Sequence, residues 1–173
     1  MSKPLNQSFE NNNLMILPHW SDLPGFDLHL DQLIELTNGY LRPITGDIVT
    51  KTMMHNYFKA DVLVAPDKKS YHKIHLAGAI IVGLLKNIFS LEELRVALQY
   101  IIDNESPQKS YDHFITLFNR EAANDSFKHF RLAEQQQQEM SAAEVIRYDA
   151  LEAFLFWLSA KKALHRVIDA NQQ

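Results

Sequence analysis

The chain has 173 residues, of which 46% are hydrophobic and 22% are charged, and a net charge of −4; these values are typical of a globular protein with a core. The absence of cysteine excludes disulfide bonds and thiolate metal sites. No N-terminal charged-then-apolar signal is present, and no uncharged run approaches the roughly 20 residues that span a bilayer. We therefore expect a cytoplasmic protein with no membrane association.

The first elements follow from polarity and spacing. The first 13 residues are polar and lack periodicity, which predicts a flexible N-terminal arm over residues 1–20. Apolar residues then recur at helical spacing over 26–38, and Gly39 indicates the end of this first helix. A turn-rich connection over 39–49 leads to a second, short helix over 50–59.

The short helix has two different faces. Its apolar side carries Met53, Met54, Tyr57 and Phe58. Its polar side carries Lys51, Thr52, His55, Asn56 and Lys59. On such a side, lysines can contact phosphates and the threonine, histidine and asparagine can contact base edges, since an asparagine amide matches the donor and acceptor of adenine.

A small basic turn follows the short helix. Residues 62–71 predict a two-stranded ribbon with its tip at 66–70, where Lys68 and Lys69 stand between apolar anchors, namely Leu63, Val64 and Tyr71. We expect Tyr71 either to pack beneath this tip or to stack on a sugar of a nucleic acid. The anchors would hold two ammonium groups outward at a fixed position.

A third helix, over 72–88, is apolar on most sides and is expected to be central. Gly78 and Gly83 predict points of close packing within it, because glycine lowers helix stability and needs a compensating reason. Between residues 50 and 86, six lysines face only two aspartates, a local net charge of +4 in a chain whose remainder carries −8. Such segregation favours an anionic partner.

Two capping boxes mark later helices. "SLEE" at 90–93 opens a helix that runs to about residue 103, and "SAAE" at 141–144 opens a last helix that runs to about residue 170. Another helix is predicted over 111–123, and residues 124–140 allow either helix or connector. The last helix carries a heptad-like seam: Ile146, Ala150, Ala153, Trp157, Ala160, Leu164 and Val167. This seam is compatible with a homodimer through 141–170 or with one buried helix in a bundle.

Sequence motifs for catalysis and metal binding are missing. His72 and His75 are three positions apart, a weak signal without a paired-cysteine or HExxH pattern. Neither GxSxG nor a glycine-rich phosphate loop occurs. We therefore predict no catalytic residue, no metal and no cofactor.

The order of helix, connection, polar-faced helix, ribbon and helix is that of a winged helix-turn-helix, whose second helix enters the major groove. The predicted partner is double-stranded DNA. The predicted contact residues are Lys51, Thr52, His55, Asn56, Lys59, Lys68, Lys69, Tyr71, His72 and Lys73. The alternative is a helical protein-interaction module that keeps this fold without binding DNA.

Three blocks of the sequence, "TKTM.HNY.K", "P.KK.Y.K.HL" and "LK..FSLEEL", resemble the YkrK-like family of uncharacterised proteins from low-GC Gram-positive bacteria. The same stretch is similar to the DNA-binding unit of MerR-type regulators. This resemblance implies a mostly α fold: a winged helix-turn-helix domain over 21–105, then a helical region over 106–173 for dimerisation or effector binding. It also implies that Trp157 or Phe154 lines a pocket for an effector of unknown identity.

Overall fold

Helices account for most of the described chain, which covers residues 16–123 and 138–170 of a computed structural model. A 3-10 turn at Trp20–Asp22 precedes them. The helices are α1 (Leu30–Thr45), α2 (Lys51–Lys59), α3 (Lys73–Leu85), α4 (Leu91–Asn104), α5 (Pro107–Ala123) and α6 (Ala142–Ala170). The mostly helical fold with a long last helix is thus confirmed. Most of the predicted arm, residues 1–15, and nearly all of 124–140 lie outside the described residues.

The predicted end of the first helix at Gly39 is wrong. The helix runs on to Thr45 and ends at Gly46, whose φ of 74° is the left-handed conformation that glycine adopts readily. The buried stripe of α1 continues past Gly39 through Leu41 and Ile44, and its burial outweighs the helix-breaking tendency of Pro43 near the end. Only residues 46–50 therefore connect the first two helices.

Helix α3 is central, as predicted, because ten of its 13 residues are buried. Its two glycines are points of close packing, which confirms the prediction. A Cβ atom at Gly83 would lie 2.1 Å from Leu41 Cδ1 of α1, and one at Gly78 would lie 2.8 Å from Leu63 Cδ2. The missing side chains thus let α1 and the segment after α2 approach the α3 backbone.

Both predicted capping boxes are present. The Ser90 N–H donates to Glu93 Oε2 at 2.7 Å, and the Ser141 N–H donates to Glu144 Oε2 at 2.8 Å. These reciprocal bonds lower the pKa of each glutamate carboxyl, with the bond from the serine backbone as the largest cause. Helices α4 and α6 begin one residue after their cap serines, so local sequence alone placed both starts.

One continuous hydrophobic core joins the described parts of the two predicted regions, since Phe118 of α5 and Phe154 of α6 belong to the same cluster as Leu33 of α1. Residues 16–20, which were expected within the flexible arm, lie against α5 instead. There the Asn119 amide exchanges two hydrogen bonds with the Leu17 backbone, of 2.8 and 2.9 Å.

Candidate nucleic-acid interface

The connection that carries α2 is held at several points. The Asn38 side chain donates to the Val49 carbonyl at 2.9 Å and accepts from the Val49 N–H at 2.7 Å. Lys161 Nζ of α6 donates to the Thr45 carbonyl at 2.8 Å and lies 3.1 Å from the Asp47 carboxylate. Asn38 thus holds both backbone groups of buried Val49, and Lys161 holds Thr45 and Asp47, so the connection that leads into α2 is fixed at two points.

Helix α2 has the two faces that its sequence predicted. Met54 and Tyr57 are buried at 0% and 3% exposure, while Met53 and Phe58 are half-buried. All five residues of the polar side are exposed: Lys51, Thr52, His55, Asn56 and Lys59. This set is called the α2 face below. Its exposure is observed, and its role in base reading is a prediction.

The segment after α2 does not form the predicted ribbon. Asp61 takes a φ of 53°, and the N–H groups of Val62 and Leu63 both point at the Tyr57 carbonyl, at 3.0 and 3.4 Å. These donors close the end of α2, and Pro66 has no N–H, so few groups remain for strand pairing. Of the three predicted apolar anchors, Leu63 and Tyr71 are buried, whereas Val64 is 48% exposed.

In place of the two-stranded wing, the described residues contain only two isolated antiparallel bridges, Asp67 with Ser70 and Leu28 with Tyr71. The first bridge closes a tight turn, called the lysine turn below, in which the Ser70 N–H donates to the Asp67 carbonyl at 2.7 Å. Its central residues, Lys68 and Lys69, have φ values of 45° and 69°, and both are exposed.

The lysine turn is locally strained. Positive φ at both central positions is the signature of a type I′ turn, which favours asparagine and glycine. A side chain other than glycine in this conformation costs about 1 kcal/mol or more per residue. Two lysines at these positions are therefore held in place by the surrounding structure, as is common for strained residues at functional sites.

Tyr71 ties the lysine turn to α2. Its backbone exchanges hydrogen bonds of 2.8 and 3.0 Å with Leu28, and its ring centroid lies 5.5 Å from that of Phe58. At 7% exposure the side chain is buried between Phe58 and His75, whose ring centroid lies 5.6 Å away. Tyr71 is thus a support for the surface, which agrees with the packing alternative, and a contact of its ring with DNA stays a prediction.

Two histidines complete this support. The His72 N–H donates to His75 Nδ1 at 2.7 Å, so the ring hydrogen of neutral His75 is on Nε2, 3.3 Å from the Ala65 carbonyl. Burial lowers the pKa of His75, which keeps the ring neutral. His72 Nδ1 lies 2.9 Å from Asp27, whose pKa is lowered first by the hydrogen bond from Ser70 and then by His72.

Lys73 is engaged in hydrogen bonds within the chain. Its Nζ donates to the carbonyls of Trp20 and Ser21, at 2.9 and 3.2 Å, and so closes the 3-10 turn. The sequence does not reveal that residues more than 50 positions away meet the start of α3, and these bonds count against a phosphate contact by Lys73, which stays a prediction. His72 is half-buried and already paired with Asp27, which leaves it at the edge of the surface.

The structure adds acidic groups that the count over residues 50–86 left out. Asp31 of α1 lies 3.2 Å from Lys51, and Asp27 accepts from Ser70 Oγ at 2.7 Å. Lys86 is half-buried, and burial is the largest cause of its lowered pKa. The exposed cations are then Lys51, Lys59, Lys68 and Lys69, and the nearby carboxylates are Asp27, Asp31, Asp61 and Asp67. The surface mixes both signs.

A second feature, missed by sequence reasoning, is an apolar cleft of about 530 Å³ between α3, α4, α5 and α6. Aliphatic and aromatic side chains dominate its lining, among them Ile81, Leu98, Tyr111, Phe114 and Ile146. Phe154 is fully buried and Trp157 stacks near it at 5.8 Å; neither lines the cleft, so the expectation that one of them forms a pocket is not met here.

Within the described ranges, no three histidine, aspartate or glutamate side chains cluster so that they could hold a metal ion. Nor does any helix of those ranges have the length and apolar character needed to cross a membrane.

A family model, that of a domain of unknown function (DUF1836), matches residues 18–114. The matched range contains α1 to α4, the lysine turn and the first half of α5. Comparisons with curated proteins and with solved structures returned no match.

Proposed function

The chain belongs to the DUF1836 family of domains of unknown function, and we propose that it is a DNA-binding transcriptional regulator without catalysis, in which the α2 face and the lysine turn contact the duplex. The likeness to YkrK-like proteins and to the MerR-type unit is part of this proposal. Because two isolated bridges replace the predicted ribbon, the lysine turn alone would make the backbone contacts that the wing makes in a winged helix-turn-helix.

The strain at Lys68 and Lys69 carries the proposal. An asparagine–glycine pair would relieve it, yet the chain has two long cations at the apex. Local strain of this kind occurs at functional sites, where the surrounding structure compensates for it. Here Tyr71, packed on Phe58 at 5.5 Å, supplies that support.

The α2 face supports the same function. A single helix fits the major groove, about 12 Å wide, and His55 and Asn56 stand exposed near the middle of α2 with lysines at both ends. Phosphate contacts at the ends would set the register, and the central residues would read bases. The Phe58–Tyr71 contact keeps the C-terminal end of α2 next to the lysine turn.

The decisive variant is Lys68→Asn with Lys69→Gly. It removes both charges while it supplies the residues that a type I′ turn favours, so the fold should be retained or stabilised. Loss of two phosphate contacts should lower affinity for a random duplex of about 20 base pairs by roughly 30-fold at 0.15 M salt and reduce the salt slope by about 1.8. The measurement is fluorescence anisotropy over a series of salt concentrations.

The matched control is Lys109→Asn, which removes an exposed cation on α5, outside the proposed surface. Its affinity should equal that of the unchanged chain. Equal affinity for the lysine-turn variant as well, with the same salt slope, would contradict the proposal. A further check is Asp31→Asn, which frees Lys51 and should strengthen binding several-fold.

A second function, a helical protein-interaction module, is favoured by one observation, the open apolar cleft. The mixed charges around the lysine turn are also compatible with a protein partner. The two functions differ in their salt dependence, because duplex binding must weaken steeply with salt and binding in an apolar cleft must not.

A further inference from the structure

The end of α6 exposes a group of large apolar side chains. Every residue from 163 to 170 is exposed, and Leu164, Val167 and Ile168 are exposed by 60%, 57% and 43%. Their spacing places them on one side of the helix, as in an amphipathic helix that lies in a groove.

The N-terminal part of α6 forms one wall of the apolar cleft. Ile146, Ala150 and Ala153 line the cleft and belong, with Leu164 and Val167, to the heptad-like seam. Small residues at positions 150 and 153 leave room beside the α6 backbone. A groove and an apolar helix end therefore lie along one seam, about 21 Å apart at 1.5 Å per residue between positions 150 and 164.

The seam is nearly symmetric about Trp157. Ala153 and Ala160 stand four and three positions from it, Ala150 and Leu164 both stand seven, and Ile146 and Val167 stand eleven and ten. We propose that two copies of the chain pair their α6 helices antiparallel about Trp157, so that Leu164 and Val167 of each copy fill the apolar cleft of the other beside Ala150 and Ile146.

Size and charge agree with this pairing. Each large exposed residue of one end meets an alanine or the cleft of the opposite copy, which suits knobs packing into holes. The cleft lining includes the exposed Asp149, and the helix end that would enter it carries Arg166. In this register the two positions fall opposite each other within one residue.

A parallel pair does not explain the same observations. It would set Leu164 against Leu164 of the second copy and leave both clefts open, since the exposed ends would lie about 21 Å from them. Both arrangements are closed by a twofold axis, but only the antiparallel pair brings the exposed helix end of each copy to the cleft of the other. This inference goes beyond DNA binding and does not depend on it.

The absence of cysteine makes a direct test possible. Ala150→Cys and Leu164→Cys are prepared as two separate proteins that carry tags of different mass. Each protein is oxidised by itself, and a mixture of the two reduced proteins is oxidised in parallel. Disulfides need Cα atoms within about 7 Å. In an antiparallel pair, position 150 of one copy faces position 164 of the other, so only the mixture should give a cross-linked product. Cross-links in each protein alone, with no product that joins the two differently tagged proteins in the mixture, would indicate a parallel pair and overturn the inference.

A second measurement uses sedimentation velocity on proteins without introduced cysteines. Leu164→Asp with Val167→Asp should raise the dimer dissociation constant by about 100-fold or more, since two apolar side chains per copy lose their cover. Val96→Asp is the matched control, because Val96 is 53% exposed on α4 and does not line the cleft. Equal circular dichroism of the three proteins checks the fold. A monomer at all concentrations of the unchanged chain, or an equal effect of the control, would refute the proposed pairing.

Discussion

Helix α3 contacts two regions that are packed in opposite ways. Towards α1, its backbone comes so near that a Cβ atom at Gly83 would overlap Leu41. Towards α4, α5 and α6, the same helix faces the apolar cleft of about 530 Å³. One side leaves no room for a methyl group, and the other has room for several side chains.

The difference in packing indicates different roles for the two sides of α3. On the tightly packed side, α3 contacts α1, and α1 contacts α2. The α2 face is therefore supported by a closely packed core. On the open side, apolar groups of the cleft remain partly uncovered, which is costly unless a partner covers them. We infer that the tightly packed side fixes the position of the α2 face and that the cleft on the open side binds a partner.

The largest effect is expected at Arg147, a buried side chain in the wall of the cleft. Its guanidinium pairs with Glu105, which is also close to His113 Nδ1 at 3.3 Å, so α4, α5 and α6 meet there. Arg147→Met would leave the largely buried carboxylate without its main partner and should lower the free energy of unfolding by about 3 kcal/mol. Urea denaturation provides the measurement.

The control for Arg147 is the double variant Arg147→Met with Glu105→Leu. Because Arg147 Nε has no hydrogen-bond partner among the described residues, an apolar pair of similar volume should recover most of the loss. If the single variant were as stable as the unchanged chain, the ion pair would not hold the cleft wall.

The next effect tests the tight side. Gly83→Ala should lower the free energy of unfolding by about 2 kcal/mol, because overpacking against Leu41 exceeds the gain in helix propensity. Gly39→Ala in α1 meets no atom within 4 Å and should instead stabilise the chain by up to about 1 kcal/mol. Thermal unfolding of both variants gives the comparison, and stabilisation by both would show that α1 and α3 are not tightly packed.

These two glycines also show what local sequence predicts. Gly83 was expected to be a close contact because a glycine inside an apolar helix has few other reasons to be there. The prediction of a helix end at Gly39 is wrong, since the end depends on the burial of Leu41 and Ile44 beyond it. Local signals such as the serine capping boxes, which need only four residues, placed helix starts correctly.

The candidate surface shows the same limit. The two faces of α2 follow from helical periodicity alone and are as predicted. The engagement of Lys73 with Trp20, and the presence of Asp27 and Asp31 beside the basic residues, depend on contacts between segments far apart in sequence. Counting charges along one segment therefore overstated the positive charge of the surface.

A smaller effect compares two buried tyrosines. The Tyr111 hydroxyl donates to the Pro18 carbonyl at 2.9 Å, so Tyr111→Phe should lower the free energy of unfolding by about 1 kcal/mol. The Tyr57 hydroxyl is buried without a partner among the described residues, and burial raises its pKa to about 12. Tyr57→Phe should thus be neutral or slightly stabilising in the same urea titration; equal losses for both would mean that the Tyr57 hydroxyl is bonded in solution.

The smallest effect is expected at Ala77, which lines the cleft on the open side of α3. Ala77→Leu can extend into empty space, so the free energy of unfolding should change by about 0.5 kcal/mol or less at low protein concentration. Ala79, two positions on, is fully buried and does not line the cleft, so Ala79→Leu should cost about 1 to 3 kcal/mol by overpacking. A loss at Ala77 as large as that at Ala79 would mean that both sides of α3 are tightly packed. The Ala77→Leu variant should also weaken the pairing of two chains, because its larger side chain would occupy the space proposed for the end of the second α6.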